Sequence, residues 1–96
     1  VVPKEGEFTI IGARKGGDDV VTIHQDARLL VAHLKDEQET SYTFEKGRGG
    51  FLQVARGRIT LNGETLKEGD GAEITDVDTI TVAATADSEV LLFDLA

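Results

Sequence analysis

LQVARGRITLNGETLKEGDGA, from Leu52 to Ala72, is the stretch whose reading decides the fold. Asn62-Gly63 stands at its centre. A two-residue type I′ turn needs positive φ at both central positions, and Asn and Gly tolerate that best. Under such a turn Leu61 pairs with Glu64 and Ile59 with Leu66, which puts Ile59, Leu61 and Leu66 on one face. Upstream, Phe51 to Arg56 carries a strand into Gly57, and Arg58 to Leu61 follows at once. Downstream, Gly69-Asp70-Gly71 turns the chain into Ala72 to Thr75. Two residues fix a hairpin, and its flanks read as further strands.

The same grammar extends outward. Phe8 to Ile11 and Val20 to Ile23 are β-branched runs separated by the turn-forming Lys15-Gly16-Gly17-Asp18-Asp19. Thr40 to Phe44 alternates weakly before Gly47, Gly49 and Gly50, which read as a turn or bulge at a sheet edge before Phe51 opens the next strand. In Thr79 to Ala83, Ile80 and Val82 point one way and threonines the other. Val90 to Phe93 is apolar on both faces, which suits a strand inside the core or one covered by a partner. Many short strands with glycine-rich turns predict an all-β antiparallel sandwich or barrel with little or no helix. One segment points elsewhere: in HQDARLLVAHLKDE, the positions Ala27, Leu30, Val31 and Leu34 have helical spacing, with Asp26 as N-cap. Pattern alone favours a helix there.

Ninety-six residues suffice for one domain, residues 1–96. Pro3 to Gly6 reads as a linker, and a chain that opens at Val1 without methionine is expected to be cut from a longer protein. No apolar run has the length to span a bilayer. The formal charge of -8 repels phosphate backbones, so no nucleic-acid partner is expected. Arg14-Lys15 and Lys46 to Arg48 read as solvated loops. The lack of cysteine removes disulfides and thiolate chemistry and fits a cytoplasmic setting.

Three pieces in order, VTIHQDARLLVAHL at Val21 to Leu34, ARGRITLNGETLKEGDGAEI at Ala55 to Ile74, and VLLFDL at Val90 to Leu95, resemble the C-terminal cupin half of the bacterial pirin-like bicupins, which include quercetin 2,3-dioxygenase-type proteins. The resemblance covers residues 20–96, with 1–19 as linker and entering strand. It implies a single cupin-type jelly-roll barrel, turns the ambiguous segment from helix to strand, and makes the chain part of a parent about twice its length.

Metal-binding cupins carry His-x-His, a spacer of three or four residues, a Glu, six residues and a Gly, with a third His on a later strand. Imidazoles and one carboxylate hold a divalent iron, nickel, manganese or copper ion and leave a position open. With the final Gly set on Gly57, Gly50 takes the Glu position and Phe44 and Lys46 the histidine positions, or Thr43 and Glu45 with the longer spacer. The second motif, counted from Gly69, falls on Thr75, Val77, Ile80 and Ala84. These degenerate positions predict no metal, cofactor or catalytic residue in this domain. The resemblance implies a divalent metal in an N-terminal cupin of the same chain, which this domain would support, and a homodimer of the fragment is conceivable.

The remaining candidates weigh less. His24 and His33 are the only imidazoles and lack a placed carboxylate, while Gln25-Asp26 serves a bend or an interdomain contact. Glu45 and Glu73 could be imagined as an acid/base pair, but carboxylates near turns are ordinarily exposed. Ser41 and Ser88 have no histidine in a nucleophile arrangement. Tyr42, Phe44, Phe51 and Phe93 fit core packing better than a ligand cavity. A binding module with a pocket lined by Phe44, Phe51 and Ile80 is the alternative function, and an enzyme with unconventional ligands the least favoured.

Overall fold

The computed structural model describes residues 5–13, 21–22 and 27–95. Ten strands run β1 (Phe8–Ala13), β2 (Val21–Thr22), β3 (Ala27–Leu34), β4 (Glu39–Thr43), β5 (Gly49–Arg56), β6 (Arg58–Leu61), β7 (Glu64–Lys67), β8 (Gly71–Ile74), β9 (Thr79–Ala84) and β10 (Ser88–Leu95). They form a six-stranded sheet, β2-β1-β3-β10-β5-β8, and a four-stranded sheet, β4-β9-β6-β7. Every pairing is antiparallel except the short parallel contact of β1 with β2. The described residues contain no helix, so none is long and apolar enough to cross a membrane.

The Asn62-Gly63 hairpin forms as expected: Ile59 pairs with Leu66 and Leu61 with Glu64, and the turn residues take φ of 47° and 90°. Ile59 is fully buried, and Leu66 packs against the core from the edge strand. The strand-apolar rule does the rest. Alternate residues of the two sheets, among them Leu52, Val54, Val82, Val90 and Leu92, interdigitate between them and are closed to solvent.

Residues 27–34 form a strand, against the helical periodicity. Leu30, Ala32 and Leu34 point inward while Leu29 and Val31 face out, because β3 is hydrogen-bonded on both sides, to β1 and to β10. A strand apolar on both faces carries apolar residues at helical spacing too, and the paired ladder decides between them. The bend at Gln25-Asp26 and the turn at Lys15 to Asp19 lie outside the described residues.

The glycine-rich segment needs a correction. Gly47 sits in a turn, but Gly49 and Gly50 already belong to β5, an interior strand flanked by β10 and β8. A Cβ at Gly49 would press on the Ile74 carbonyl, so these glycines admit a close backbone approach instead of ending the strand.

Gly57 joins β5 to β6 at φ 89°, and any Cβ there would run into the Asp87 carbonyl and the Ser88 hydroxyl. Ser88, itself buried, ties this junction: its Oγ lies 2.7 Å from the Ala86 carbonyl and accepts the Arg58 N–H at 3.0 Å. Gly57→Ala is expected to cost about 2–4 kcal/mol in urea unfolding, from strained φ plus the clash. Gly63→Ala, at φ 90° but with open space around it, should cost only about 1 kcal/mol.

Candidate functional site

Of the positions that carry ligands in metal-binding cupins, Phe44, Gly50 and Ile80 face the space between the sheets. Ile80 lies on β9 opposite Tyr42 of β4 and keeps 1% of its surface exposed. Phe44 follows β4 directly, and its N–H donates to the Asp78 carbonyl at 2.8 Å. Its ring lies against the backbone of Gly50, where a Cβ would come within 3.0 Å of Cε1 and 3.1 Å of Cζ. A side chain at Gly50 and the Phe44 ring would therefore compete for one volume. Lys46 stands apart in an exposed turn, as does Glu45.

Three aromatic rings continue this filling. Phe44 packs edge-on against Tyr42 at 5.1 Å between centroids, and Tyr42 against Phe8 at 6.1 Å. Edge-to-face geometry sets the positive ring edge against a negative face, at both contacts. The column fills the open side of the sandwich between β1 and β4.

Phe44, Phe51 and Ile80 do not line one cavity. Phe44 and Ile80 belong to the packed core, whereas Phe51 projects from the outer face of the six-stranded sheet with 37% of its surface exposed. Strand alternation in β5 separates them: Gly50 and Leu52 point in, so Phe51 points out. Phe93 pairs with Phe51 on that same outer face.

The earlier candidates disperse likewise. His33 faces outward, with Nδ1 3.3 Å from Glu89 Oε2, and His24 lies outside the described residues. Glu45 pairs with Arg28, while Glu73 faces out of β8 opposite Phe51. Thr75 and Val77 lie beyond β8, and Ala84 is buried at the end of β9. Among the described residues no three His, Asp or Glu side chains converge in the way a metal ion needs.

Sequence inspection missed the strongest polar feature of the interior. Asp94, from the closing VLLFDL run, has no exposed surface. It accepts Arg48 Nε–H at 2.7 Å through Oδ1 and the Tyr42 hydroxyl through Oδ2, and Arg48 Nη2–H reaches its backbone carbonyl at 3.2 Å. Arg28 Nη1 stands 3.6 Å from Oδ2, and its Nη2 donates to Glu45 at 3.0 Å. The expected solvated loop at Lys46 to Arg48 is thus wrong for Arg48, whose side chain keeps 10% exposure. The signal lay in alternation: Val90 and Leu92 point inward, so Asp94 must as well. A buried carboxylate demands a cationic partner, and the β4–β5 loop supplies one.

The network bears on its tyrosine. Burial, reinforced by the hydrogen bond to Asp94, raises the Tyr42 phenol above its ordinary value of 10.0, while the hydrogen bond from Arg28 partly offsets this. The Glu45 hydrogen bond, then that of Tyr42, raises the Arg28 guanidinium further still.

The two antiparallel sheets with a packed interior between them define the class: a cupin fold. The chain belongs to the quercetinase C-terminal cupin domain family, which it matches over residues 10–95. It is 38% identical over 94 residues to a pirin-like protein of Caulobacter vibrioides, covering 97% of this chain and 40% of that protein. It is 42% identical over 79 residues to quercetin 2,3-dioxygenase of Escherichia coli K12, covering 81% of this chain and 34% of the enzyme. The crystal structure of the bacterial pirin YhhW in complex with nickel(II) from Escherichia coli superposes with TM-score 0.89 at 30% identity, covering 96% of this chain and 40% of that one. The chain therefore spans about 40% of the length of such relatives.

Asp94→Ala leaves the Arg48 guanidinium nearly buried without its partner, and thermal or urea unfolding should show a loss of about 3–5 kcal/mol. Combined with Arg48→Met, it should cost less than the two single changes added together. Tyr42 is the only tyrosine, so absorbance near the phenolate band titrates it alone. Its midpoint should lie above 10.0, fall in Asp94→Asn and rise in Arg28→Gln. Because the folded phenol holds its proton more tightly than the unfolded one, its share of stability is complete below about pH 10 and is lost as pH climbs through the folded value.

Proposed function

We propose that the chain is a metal-free, non-catalytic C-terminal cupin that supports a metal-dependent N-terminal cupin of quercetin 2,3-dioxygenase type in the same polypeptide. One observation carries this reading: the interior volume next to Gly50 is taken by the Phe44 ring, and Ile80 offers an aliphatic wall. Neither phenyl, aliphatic carbon nor glycine hydrogen donates a lone pair to a cation. Lys46 carries a positive charge and repels one. The donor set does not fit a divalent metal.

Supporting it further, the family is defined as the C-terminal cupin of quercetinases, and the nickel(II) complex of YhhW is formed by a chain about two and a half times as long as this match. In this reading the chemistry on a flavonol and dioxygen belongs to the preceding cupin, with iron, nickel, manganese or copper as its metal. This domain contributes rigidity. Its interior is closed by packed side chains and by the Asp94 network, so it does not need a metal to order its strands. A bicupin parent in the cytoplasm completes the proposal.

Metal content and turnover test it together. The 96-residue chain, purified without chelator and incubated with nickel(II) or iron(II), should retain well below ~0.1 metal ion per chain and should not consume quercetin. The product of the full reading frame should hold about one ion and turn quercetin over. Stoichiometric metal coordinated by side chains of residues 1–96 would overturn the reading.

A further inference from the structure

On one outward surface the sheet departs from the alternation that a solvated face imposes. From β3, Leu29 and Val31 point out; from β10, Leu91, Phe93 and Leu95; from β5, Phe51. Leu91 lies opposite Val31, and Phe93 lies between Leu29 and Phe51, so the six side chains form one stripe across three adjacent strands. An antiparallel sheet with one solvated face normally carries polar residues there. Val31 keeps only 5% of its surface, while Phe51 and Leu95 keep 37% and 40%. The other sheet shows no such stripe: outward positions of β4, β6 and β9 are Glu39, Ser41, Thr43, Arg58, Thr60, Thr79, Thr81 and a single small apolar residue, Ala83.

We infer that this stripe is the docking face for the domain that precedes residue 1 in the longer chain. The inference rests on the reading of the chain as a C-terminal part and adds the surface through which it is held. Size argues for a tethered partner. Val31 is closed, Leu29, Leu91 and Phe93 are half-buried and only Phe51 and Leu95 are exposed, so the stripe leaves on the order of 200–300 Å² open. Separate chains need roughly 800 Å² per partner for a stable complex. Domains of one chain hold together with interfaces from roughly 600 Å² in total, about half of it on each side, because the linker keeps the effective concentration in the millimolar range. Length argues for the same occupant: about 60% of a relative such as the Caulobacter protein lies outside the region this chain covers.

The chemistry of the partner surface follows. The stripe is apolar at its centre; Glu73 stands at one edge, and at another Glu89 lies between His33, 3.3 Å away, and Arg56. Its complement is an apolar sheet face or loop with polar groups of both signs at the rim.

Hydroxyl-radical footprinting reads the exposed phenylalanine and leucine side chains directly. It should be run on the 96-residue chain and on the product of the full reading frame. Labelling of Phe51 and Leu95 should fall at least ~5-fold in the longer protein. Phe51→Lys changes an exposed position and sets a cation opposite Glu73, so the short chain should stay folded, with an unchanged far-UV circular dichroism spectrum. In the longer protein the same change should restore Leu95 labelling to the level of the short chain. Equal labelling of Phe51 and Leu95 in both proteins overturns the inference. So does protection of the short chain that grows with its concentration, which assigns the face to a second copy, and so does a reading frame without a preceding domain. None of these readouts depends on metal content, so a metal found in residues 1–96 would sink the proposed function and leave this result standing.

Discussion

One volume inside the sandwich governs the rest of this structure. Between Gly50 on β5 and Ile80 on β9, the Phe44 ring fills the space that a side chain at position 50 would enter. Glycine at 50 is therefore a packing requirement imposed from across the sandwich. The backbone imposes it a second time, since a Cβ at Gly50 would also run into the Phe93 carbonyl of β10. With the ring in place, the position a carboxylate would need in a metal-binding relative is hydrocarbon. Tyr42 and Phe8 extend the same filling toward the open side between β1 and β4.

The second organising element is electrostatic and lies at one end of β10. Removing a carboxylate from water is expensive unless cations and donors replace the lost hydration, and Asp94 gathers Arg48, Tyr42 and, at longer range, Arg28. Those residues come from β3, β4 and the β4–β5 loop, so the cluster joins the last strand of the chain to three earlier segments across both sheets. Its geometry is structural. Each carboxylate oxygen holds a hydrogen bond, and no buried side-chain nitrogen or oxygen among the described residues lacks a partner.

The two faces of the six-stranded sheet thus differ in kind. Its inner face packs on the four-stranded sheet along β3, β10 and β5, while Ile10 on β1 stays 40% exposed on that side. Its outer face is apolar across β3, β10 and β5 yet partly open. A central strand with hydrocarbon on both sides gains from cover on both, which joins the reading of the domain as a supporting half to the surface through which the support is given.

Much was legible in residue order. The Asn62-Gly63 turn set the register of β6 and β7, and the glycine and aspartate clusters placed most strand ends. These are local matters of φ preference, alternation and counting. Whether residues 27–34 coil or extend was not local, because the same apolar spacing satisfies both, and only the ladders to β1 and β10 choose. Nor was the fate of Arg48, which reads as a surface charge until β10 delivers a buried carboxylate from 46 residues away. Phe51 likewise joined Phe44 in a reading by residue type and left it by strand parity. Residue order determined the turns and the strand-rich class, since each depends on neighbours in the chain. Tertiary structure alone decided which side chains meet, because burial and charge pairing are settled between segments that are distant in sequence and adjacent in space.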